Sequence, residues 1–450
     1  MTDVAQRILE YNGYTVTHGM NFTDIDDKII KKAQELGISV DRLTEQYTKE
    51  FQSDMERLHV LPPDLVRYAT QHETIEMIQT YINKYLEHGY AYVVDGSVYL
   101  DTVKTESLIG VSPYAPVLLP DEGNGRDCKP VSAASVKKDK RDFVLWKASR
   151  PGEPTWEYPS VGPGRPGWHI ECSAMIELMY TICHPGLPLT IHSGGIDLKF
   201  PHHNNEYIQS TLYNALIHRD VSFVQEFVHI GHLHIKGCKM SKSVRNFISI
   251  DEALKTSSPN AIRMAFLLHN SSKTMDYSEI SMKHAGHMVQ HFKKFNEAME
   301  SFRATPATVA ETTAAETSET TTVDMNLSKT FADLRMVVRE LLTDLASSPH
   351  VINELHVFSG IVHKYMEGMV SPDKSIIKKI AKYYLEMYEL FGLRYGSNTA
   401  ETHVLLETIQ KIRADIRAAA KDTKEPSLYA LSDKIRDVYL KDAGIQINDR

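Results

Sequence analysis

Apolar residues recur on a helical period along most of the chain, and short alternating runs interrupt it. Val4, Ile8 and Leu9 share one side of an amphipathic helix over residues 3–10. Gly13 permits a turn, and Tyr14-Thr15-Val16-Thr17 reads as a short strand. Asn21-Phe22-Thr23-Asp24 leads into a second helix with Thr23 or Asp24 as cap. Helix, strand and helix at the start predict an α/β domain whose first strand is absent. Residues 40–90 read as helix broken at Pro62-Pro63, followed by a hairpin of Tyr92–Val94 and Ser97–Leu100 around Asp95-Gly96. The stretch 105–165, rich in Pro, Gly and charge, reads as an insertion in that domain. Residues 189–200 form a strand and a glycine turn, a helix starts near Pro201, and 223–237 contain another strand running into 239–243.

From about residue 275 the period is helical. Residues 304–323, ATPATVAETTAAETSETTTV, are too poor in large apolar side chains to build a core and predict a disordered linker. Helices are expected near 326–346, 350–367, 374–391, 401–421 and 427–440. No internal repeat is visible. The 450-residue length fits two or three domains, and 42% hydrophobic with 24% charged residues is ordinary for a soluble globular protein. No apolar run approaches the roughly 18 residues of a membrane span. The N-terminus lacks the apolar core of a signal peptide. The cytoplasm is the default location, and a presequence before Met1 would make it mitochondrial. Four cysteines with no C-x-x-C pair point to a reducing compartment. The net charge of −8 opposes indiscriminate nucleic-acid coating but not a local basic face.

His202 and Glu206 are four apart, on one face of a helix starting at Pro201, and Cys172 would join them by folding. Cys, His and Glu together suit zinc, the thiolate favouring it over magnesium. The same trio is also compatible with a solvated His/Glu pair and a packed cysteine. His203 points about 100° away from His202 and reads as a supporting residue. Lys239-Met240-Ser241-Lys242-Ser243 follows Gly237. Its ammonium and hydroxyl groups can neutralise a pyrophosphate leaving group, whereas a bare K-x-x-K would be an ordinary solvated loop. Trp168, four before Cys172, either fills the core or covers a ligand at the metal. His192-Ser193-Gly194-Gly195-Ile196-Asp197 sits at a strand's carboxyl end, where α/β sheets bind ligands. Gly194 and Gly195 would admit a nucleotide to the backbone. His229-Ile230-Gly231-His232 has the letters of a class I synthetase signature, but its place just before the lysine loop marks it as strand and coincidence.

Taken together the chain resembles the cysteinyl-tRNA synthetases. The resemblance runs through Asn21–Ile29, Asp142–Lys147, Gly164–Met175, Asp197–Glu206 and Gly231-His232-Leu233 into the loop at 239–243. It implies a Rossmann-like parallel-sheet catalytic domain with an insertion, followed by an all-α helical bundle. The divisions expected are 1–75 and 164–230 for the catalytic domain, 76–163 for a connective insertion, and 231–290 for the lysine loop and tRNA-stem contact. Residues 291–450 would be the anticodon-binding region. It further implies cysteine–tRNA ligase activity. ATP with Mg2+, L-cysteine and tRNA(Cys) would be substrates and partners, with one Zn2+ held by Cys172, His202 and Glu206. The zinc would take the substrate thiolate and so reject serine. Thr23, Trp168 and His192 would line the cysteine pocket, Asp197 would touch the adenylate, and Lys242 would bind ATP beside Ser241 and Ser243, with Lys239 sharing the catalytic charge. Five Lys/Arg against two Asp in 411–424 give a surplus that suits tRNA phosphates. Ala430–Arg436 resembles the family's closing helix.

The departures are specific. The family's opening strand, which carries a fourth zinc ligand and the His-x-Gly-His signature, has no counterpart, so adenylation by this stretch alone is expected to be crippled. Arg245 stands where the family has glycine, Ser193 replaces a glycine and Asn204 a glutamate. A non-catalytic tRNA- or partner-binding derivative is the competing expectation. The ligase joining cysteine to an amino sugar lacks a helical bundle, so the helices after 326 count against it. Oligomeric state is not legible.

Overall fold

The computed structural model describes residues 1–113, 136–240, 247–304, 318–368 and 372–395, with parts of 409–435 and without 182, 183, 185 and 236. Residues 1–393 and 394–450 form two compact units. The first unit opens with α1 (Thr2–Tyr11), which buries Val4 and Ile8. Its first strand is β1 (Gly19–Phe22), not the predicted Tyr14–Thr17, where Tyr14 is exposed. β1 is fixed by a distant partner. It pairs in parallel with β2 (Leu65–Tyr68), Gly19 opposite Leu65, a strand inside the stretch expected to be helix. A parallel pair needs a crossover. α2 (Asp27–Leu36) and α3 (Val40–Arg57) supply it. The cap of α2 is Asp26, which accepts from Ile29 N at 2.7 Å, rather than Thr23 or Asp24. Asp24 instead accepts from the backbone and hydroxyl of Thr70, joining the ends of β1 and β2.

Next come α4 (His72–Glu87) and the predicted hairpin, β3 (Ala91–Val94) and β4 (Ser97–Leu100). Its turn puts Asp95 and Gly96 at φ 49° and 76°, the left-handed pair that a two-residue hairpin requires. After α5 (Thr102–Ile109), β5 (Val144–Ala148) and β6 (Gly164–Pro166) complete an antiparallel sheet ordered β3-β4-β5-β6. α6 (Trp168–Ile176) leaves this sheet and is buried from His169 to Ile176. Ile170 and Ala174 pack with Ile78, Tyr81, Trp146 and Leu212, while Cys172 and Met175 join Ile25, Ile30 and Ala69 below β1 and β2. Each fully buried large side chain here stabilises the fold by roughly 1.5–3 kcal/mol. α6 is therefore clamped between two cores.

A second parallel pair, β7 (Leu189–Gly195) with β8 (Val224–Ile230), is bridged by α7 (Asn204–Leu216). Among the described residues the two parallel pairs are separate two-stranded ladders. β9 (Leu233–Ile235) lies between β10 (Cys238–Lys239) and β11 (Met275–Tyr277) in a small sheet.

α8 (Ile250–Thr256) and α9 (Pro259–Leu267) lead to four long helices: α10 (Glu279–Ala304), α11 (Ser318–Leu341), α12 (Ser348–Gly368) and α13 (Lys374–Leu390). α11 starts inside the expected linker, so that segment is helical from Ser318 onward. Residues 305–317 lie outside the described set, as do most of 401–421 and of the basic run 411–424. In the second unit a helix spans Pro426–Lys434, and Arg417 pairs with Asp433 at 3.2 Å.

One buried polar knot ties distant parts of the first unit. Asp3, 3% exposed, accepts from Arg7 Nε (3.0 Å), Leu61 N (2.8 Å) and the Arg263 guanidinium. Arg263 also donates to the carbonyls of Leu58 (3.0 Å) and Phe391 (2.8 Å). Burial works against the Asp3 charge, yet Arg263 and the Leu61 amide outweigh it and hold the carboxyl below its ordinary range.

Candidate metal and substrate site

α6, β7 and the turn entering α7 converge on one point. Cys172 projects from the second turn of α6. His192 lies in β7. A tight turn at Ile196–Leu198 and a wide one at Lys199–His203 then feed α7, placing His202 and Glu206 side by side. Ligand atoms of Cys172, His202 and Glu206 all lie within 4.8 Å of one another, and those of His192, His203 and Glu206 form an overlapping group. The sequence spacing put His202 and Glu206 on one face, and the fold delivers Cys172 to them.

Glu206 is fully buried. Its Oε2 accepts from His192 Nε2 at 2.8 Å. Its Oε1 faces His202 Nε2 at 3.4 Å and has no hydrogen bond of good geometry. Burial alone would favour the acid, but His192 and His202 reverse this and bring the Glu206 carboxyl to about 2. The Cys172 thiol is pushed well up by burial and then by the Glu206 and Glu171 carboxyls. A buried carboxylate oxygen left unpaired against a buried thiol and an imidazole is costly in itself. A cation of zinc's coordination chemistry would resolve it, supplying the missing partner and making the thiolate the favoured form. The donor set therefore fits the ion.

The surrounding contacts orient these groups. Asn21 Nδ2 donates to Cys172 Sγ at 3.2 Å, and Thr23 also hydrogen-bonds the sulfur. His202 turns Nε2 toward Glu206 while its Nδ1 meets His169 Nδ1 at 2.9 Å. This back-side bond fixes the ring, as metal-binding histidines require. His203 Nδ1 meets His229 Nε2 at 2.9 Å. Burial keeps His202 below its usual pKa and holds His169 and His203 down to about 3, so their rings are neutral near pH 7. Sequence reasoning missed Asn21 and His169. His169 could have been found as the neighbour of Trp168 on a helix start that also carries Cys172. Of the His229–His232 string expected to be strand, His229 and Ile230 close β8 while Gly231 and His232 lie between β8 and β9, and His229 holds His203.

Trp168 is 36% exposed and stacks on His202, ring centroids 4.2 Å apart. It covers the metal-side histidine instead of filling the core. Gly194 carries no side chain because a Cβ there would stand 2.8 Å from the His203 ring. Gly195 and Asp197 follow at the end of β7, and Thr23 opens onto a cavity of about 620 Å³ that Lys28, Tyr47 and Phe51 also line. Of the lysine loop, the backbone of Lys239 lies in β10 and Met240 N donates to Leu233 O at 3.0 Å. Ser241, Lys242, Ser243 and Arg245 lie outside the described residues.

Residues 1–287 match the family model of the class I tRNA synthetase (C) catalytic domain. The cytoplasmic cysteine–tRNA ligase of Dictyostelium discoideum is 34% identical over 477 residues, covering 100% of this chain and 69% of that protein. The human cytoplasmic cysteine–tRNA ligase is 34% identical over 434 residues, covering 91% of this chain and 56% of its own length. Among solved structures, Mycobacterium tuberculosis methionyl-tRNA synthetase bound by methionyl-adenylate superposes with TM-score 0.58 at 14% identity, over 85% of this chain and 83% of that one. That likeness shows the fold, a Rossmann-like class I architecture. Cys172, His202 and Glu206 all lie within the matched catalytic domain, and the chain belongs to the class I aminoacyl-tRNA synthetases, in the family of the cysteine–tRNA ligases.

Proposed function

We propose that this chain serves the cysteine–tRNA ligase reaction, in which L-cysteine is activated with ATP and transferred to tRNA(Cys), with cysteine chosen by its sulfur. The observation that carries the reading is the buried trio of Cys172, His202 and Glu206, with one carboxylate oxygen unpaired. These three residues would hold Zn2+, which when bound supplies a soft Lewis-acid position for a thiolate. A substrate thiol ionises near neutral pH and an alcohol does not, so serine gains nothing there.

The remaining roles belong to the chain's own side chains. Trp168 closes the pocket over His202 and excludes water. Thr23 holds the Cys172 sulfur and faces the cavity where the amino acid's backbone would lie. His192 keeps Glu206 ionised and would line the cysteine side of the site. Gly194 and Gly195 would let the nucleotide approach the backbone at the β7 end, and Asp197 would contact the adenylate. Lys239, Ser241, Lys242 and Ser243 would neutralise the pyrophosphate as ATP, carried with Mg2+, is cleaved. Residues 1–75 and 164–230 would serve as the catalytic domain and 76–163 as the connective insertion. Residues 231–290 would carry the lysine loop and stem contact, and 291–450 would meet the anticodon.

The test is ATP–pyrophosphate exchange by the metal-loaded protein, purified 1–450 beside a version extended upstream in the genomic frame, with cysteine or serine as substrate. Exchange that requires cysteine, ignores serine and falls about 100-fold or more in Lys242→Ala supports the reading. No exchange in either version, together with retained tRNA(Cys) binding, would replace it with a tRNA-binding role.

A further inference from the structure

α3 is amphipathic, yet its apolar face is uncovered. Leu43, Tyr47 and Phe51 lie four apart, on one side of the helix. Of its 18 residues Leu43 alone is buried, while Tyr47 is 46% and Phe51 37% exposed. A helix of a globular protein ordinarily turns such a stripe into the core. Here it lines the cavity of about 620 Å³ at the carboxyl end of β1, together with Lys28 and Lys32 of α2. Ligands of open α/β sheets bind at the carboxyl ends of strands. A cysteine beside Thr23 would fill only one end of that volume, so most of the cavity has no occupant in the chemistry proposed above.

The lining is built in duplicate. Tyr47 and Phe51 stand one helical turn apart on α3, and Lys28 and Lys32 one turn apart on α2. Phe51 is held edge-on to Phe22, ring centroids 5.6 Å apart, and Phe22 stacks on Tyr68 at 5.1 Å. Both lysines are exposed, and the Glu35 carboxylate 3.6 Å from Lys32 forms only a solvated pair that competes weakly. The acid in the lining, Asp24, has both oxygens engaged by Thr70. Cations beside an aromatic platform are the chemistry that binds single-stranded nucleic acid, since every base offers a π-face and every phosphate a charge. Two rings and two ammonium groups match two successive nucleotides, whereas a free mononucleotide would use half of them. A duplex, with its bases already stacked on one another, offers the rings nothing.

We propose that the cavity between α2 and α3 takes the last two unpaired nucleotides of the tRNA 3′ end, bases against Tyr47 and Phe51 and phosphates toward Lys28 and Lys32. This rests on the reading of tRNA(Cys) as substrate. Thr23 lines the cavity and hydrogen-bonds the Cys172 sulfur, so the terminal ribose would arrive beside the bound cysteine.

The test is photocrosslinking of the full chain, 1–450, to a tRNA(Cys) acceptor hairpin whose 3′-terminal base carries an azide. Anisotropy titrations compare the hairpin with its unpaired end and the same hairpin trimmed blunt. The crosslink is expected within residues 22–32 or 43–51. Tyr47→Ala with Phe51→Ala should weaken the unpaired-end hairpin about 30-fold or more and leave the blunt one unchanged. Lys28→Gln with Lys32→Gln should flatten the dependence of log affinity on log salt by about 1.4. Crosslinks confined to other residues, or equal affinity for the two hairpins, overturn the proposal. Displacement of the crosslink by ATP alone assigns the cavity to a free nucleotide and overturns it too. Should a variant fail to fold, the crosslink in the parent decides. None of these readouts needs adenylation. A crosslink in the cavity without exchange would sink the activity reading and leave this one, and exchange with crosslinks elsewhere would sink this one alone.

Discussion

The Asp3–Arg263 knot and the Glu206 cluster both bury a carboxylate, and they treat it in opposite ways. Around Asp3 the charge meets a guanidinium and a backbone amide, while Arg263 goes on to two carbonyls. Around Glu206 one oxygen is served by His192, and the other faces a thiol and an imidazole without a proper bond. A buried polar network that is complete rigidifies a fold, and one that is incomplete costs stability. The difference separates a structural knot from a binding site without appeal to either motif. One group is finished by the chain itself, and the other would be finished by something the chain binds.

The largest effect that would break this contrast concerns stability. Asp3→Ala leaves Arg263 buried and unpaired, and is expected to cost about 3–5 kcal/mol in denaturant unfolding. Metal affinity should stay unchanged in the surviving folded fraction. A loss under about 1 kcal/mol would mean that the knot is not a structural anchor.

Cys172→Ala should do the reverse. Removing a ligand is expected to weaken Zn2+ binding by more than the roughly 100-fold that loss of a supporting contact brings. The metal-free protein should lose only about 1 kcal/mol, since a small buried side chain is shortened. A competitive chelator titration and a melting curve on the same sample read both.

His169→Ala sharpens the picture one step out. It removes the partner behind His202 Nδ1 and should weaken metal binding by about 10–100-fold, with the ion still bound at saturation. The same chelator competition measures it. No change would mean that His202 is oriented by packing alone.

The smallest effect is a difference in acid sensitivity. His169 and His203 are held near 3 by burial, far below the value of about 6.5 that histidine has in an unfolded chain. Between those values the unfolded chain binds more protons, so stability falls as pH drops below about 6.5. Asp3 is shifted in the same downward direction, but from a carboxyl value, so its window lies at lower pH. Its contribution is complete above the unfolded carboxyl value of about 3.9 and is lost only as pH falls through its lower folded value. In metal-free protein the fluorescence of Trp168, stacked on His202, should therefore change near pH 6. Amide protection in α1 and α9 should persist to about pH 4. Simultaneous loss of both signals would remove the distinction.

Much of this was legible in the sequence, for reasons that can be named. Asp95-Gly96 between alternating residues fixes a hairpin locally, and His202 with Glu206 share a helical face by spacing alone. The helical period after residue 275 likewise marks the long helices. What escaped depends on distant partners. Tyr14–Thr17 has strand chemistry but no strand beside it, whereas Gly19–Phe22 is held by Leu65–Tyr68, four residues too few to carry a pattern. The capping role fell to Asp26 because Asp24 is occupied by Thr70. Asn21 and His169 reach Cys172 and His202 across the fold, and no spacing announces that. Ser318 onward is helical despite its composition, because the apolar face of α11 at Leu327, Phe331 and Leu334 is buried.

The most direct measurement is the absorption spectrum of the Co2+-loaded chain, titrated with L-cysteine and, separately, with L-serine. A thiolate on the metal gives a sulfur-to-cobalt charge-transfer band, and imidazole or carboxylate does not. The band should be present at the start from Cys172, disappear in Cys172→Ser, grow when L-cysteine is added and stay flat with L-serine. A band that ignores L-cysteine, or one that survives Cys172→Ser before any cysteine is added, would contradict selection of the substrate by its sulfur at Cys172, His202 and Glu206.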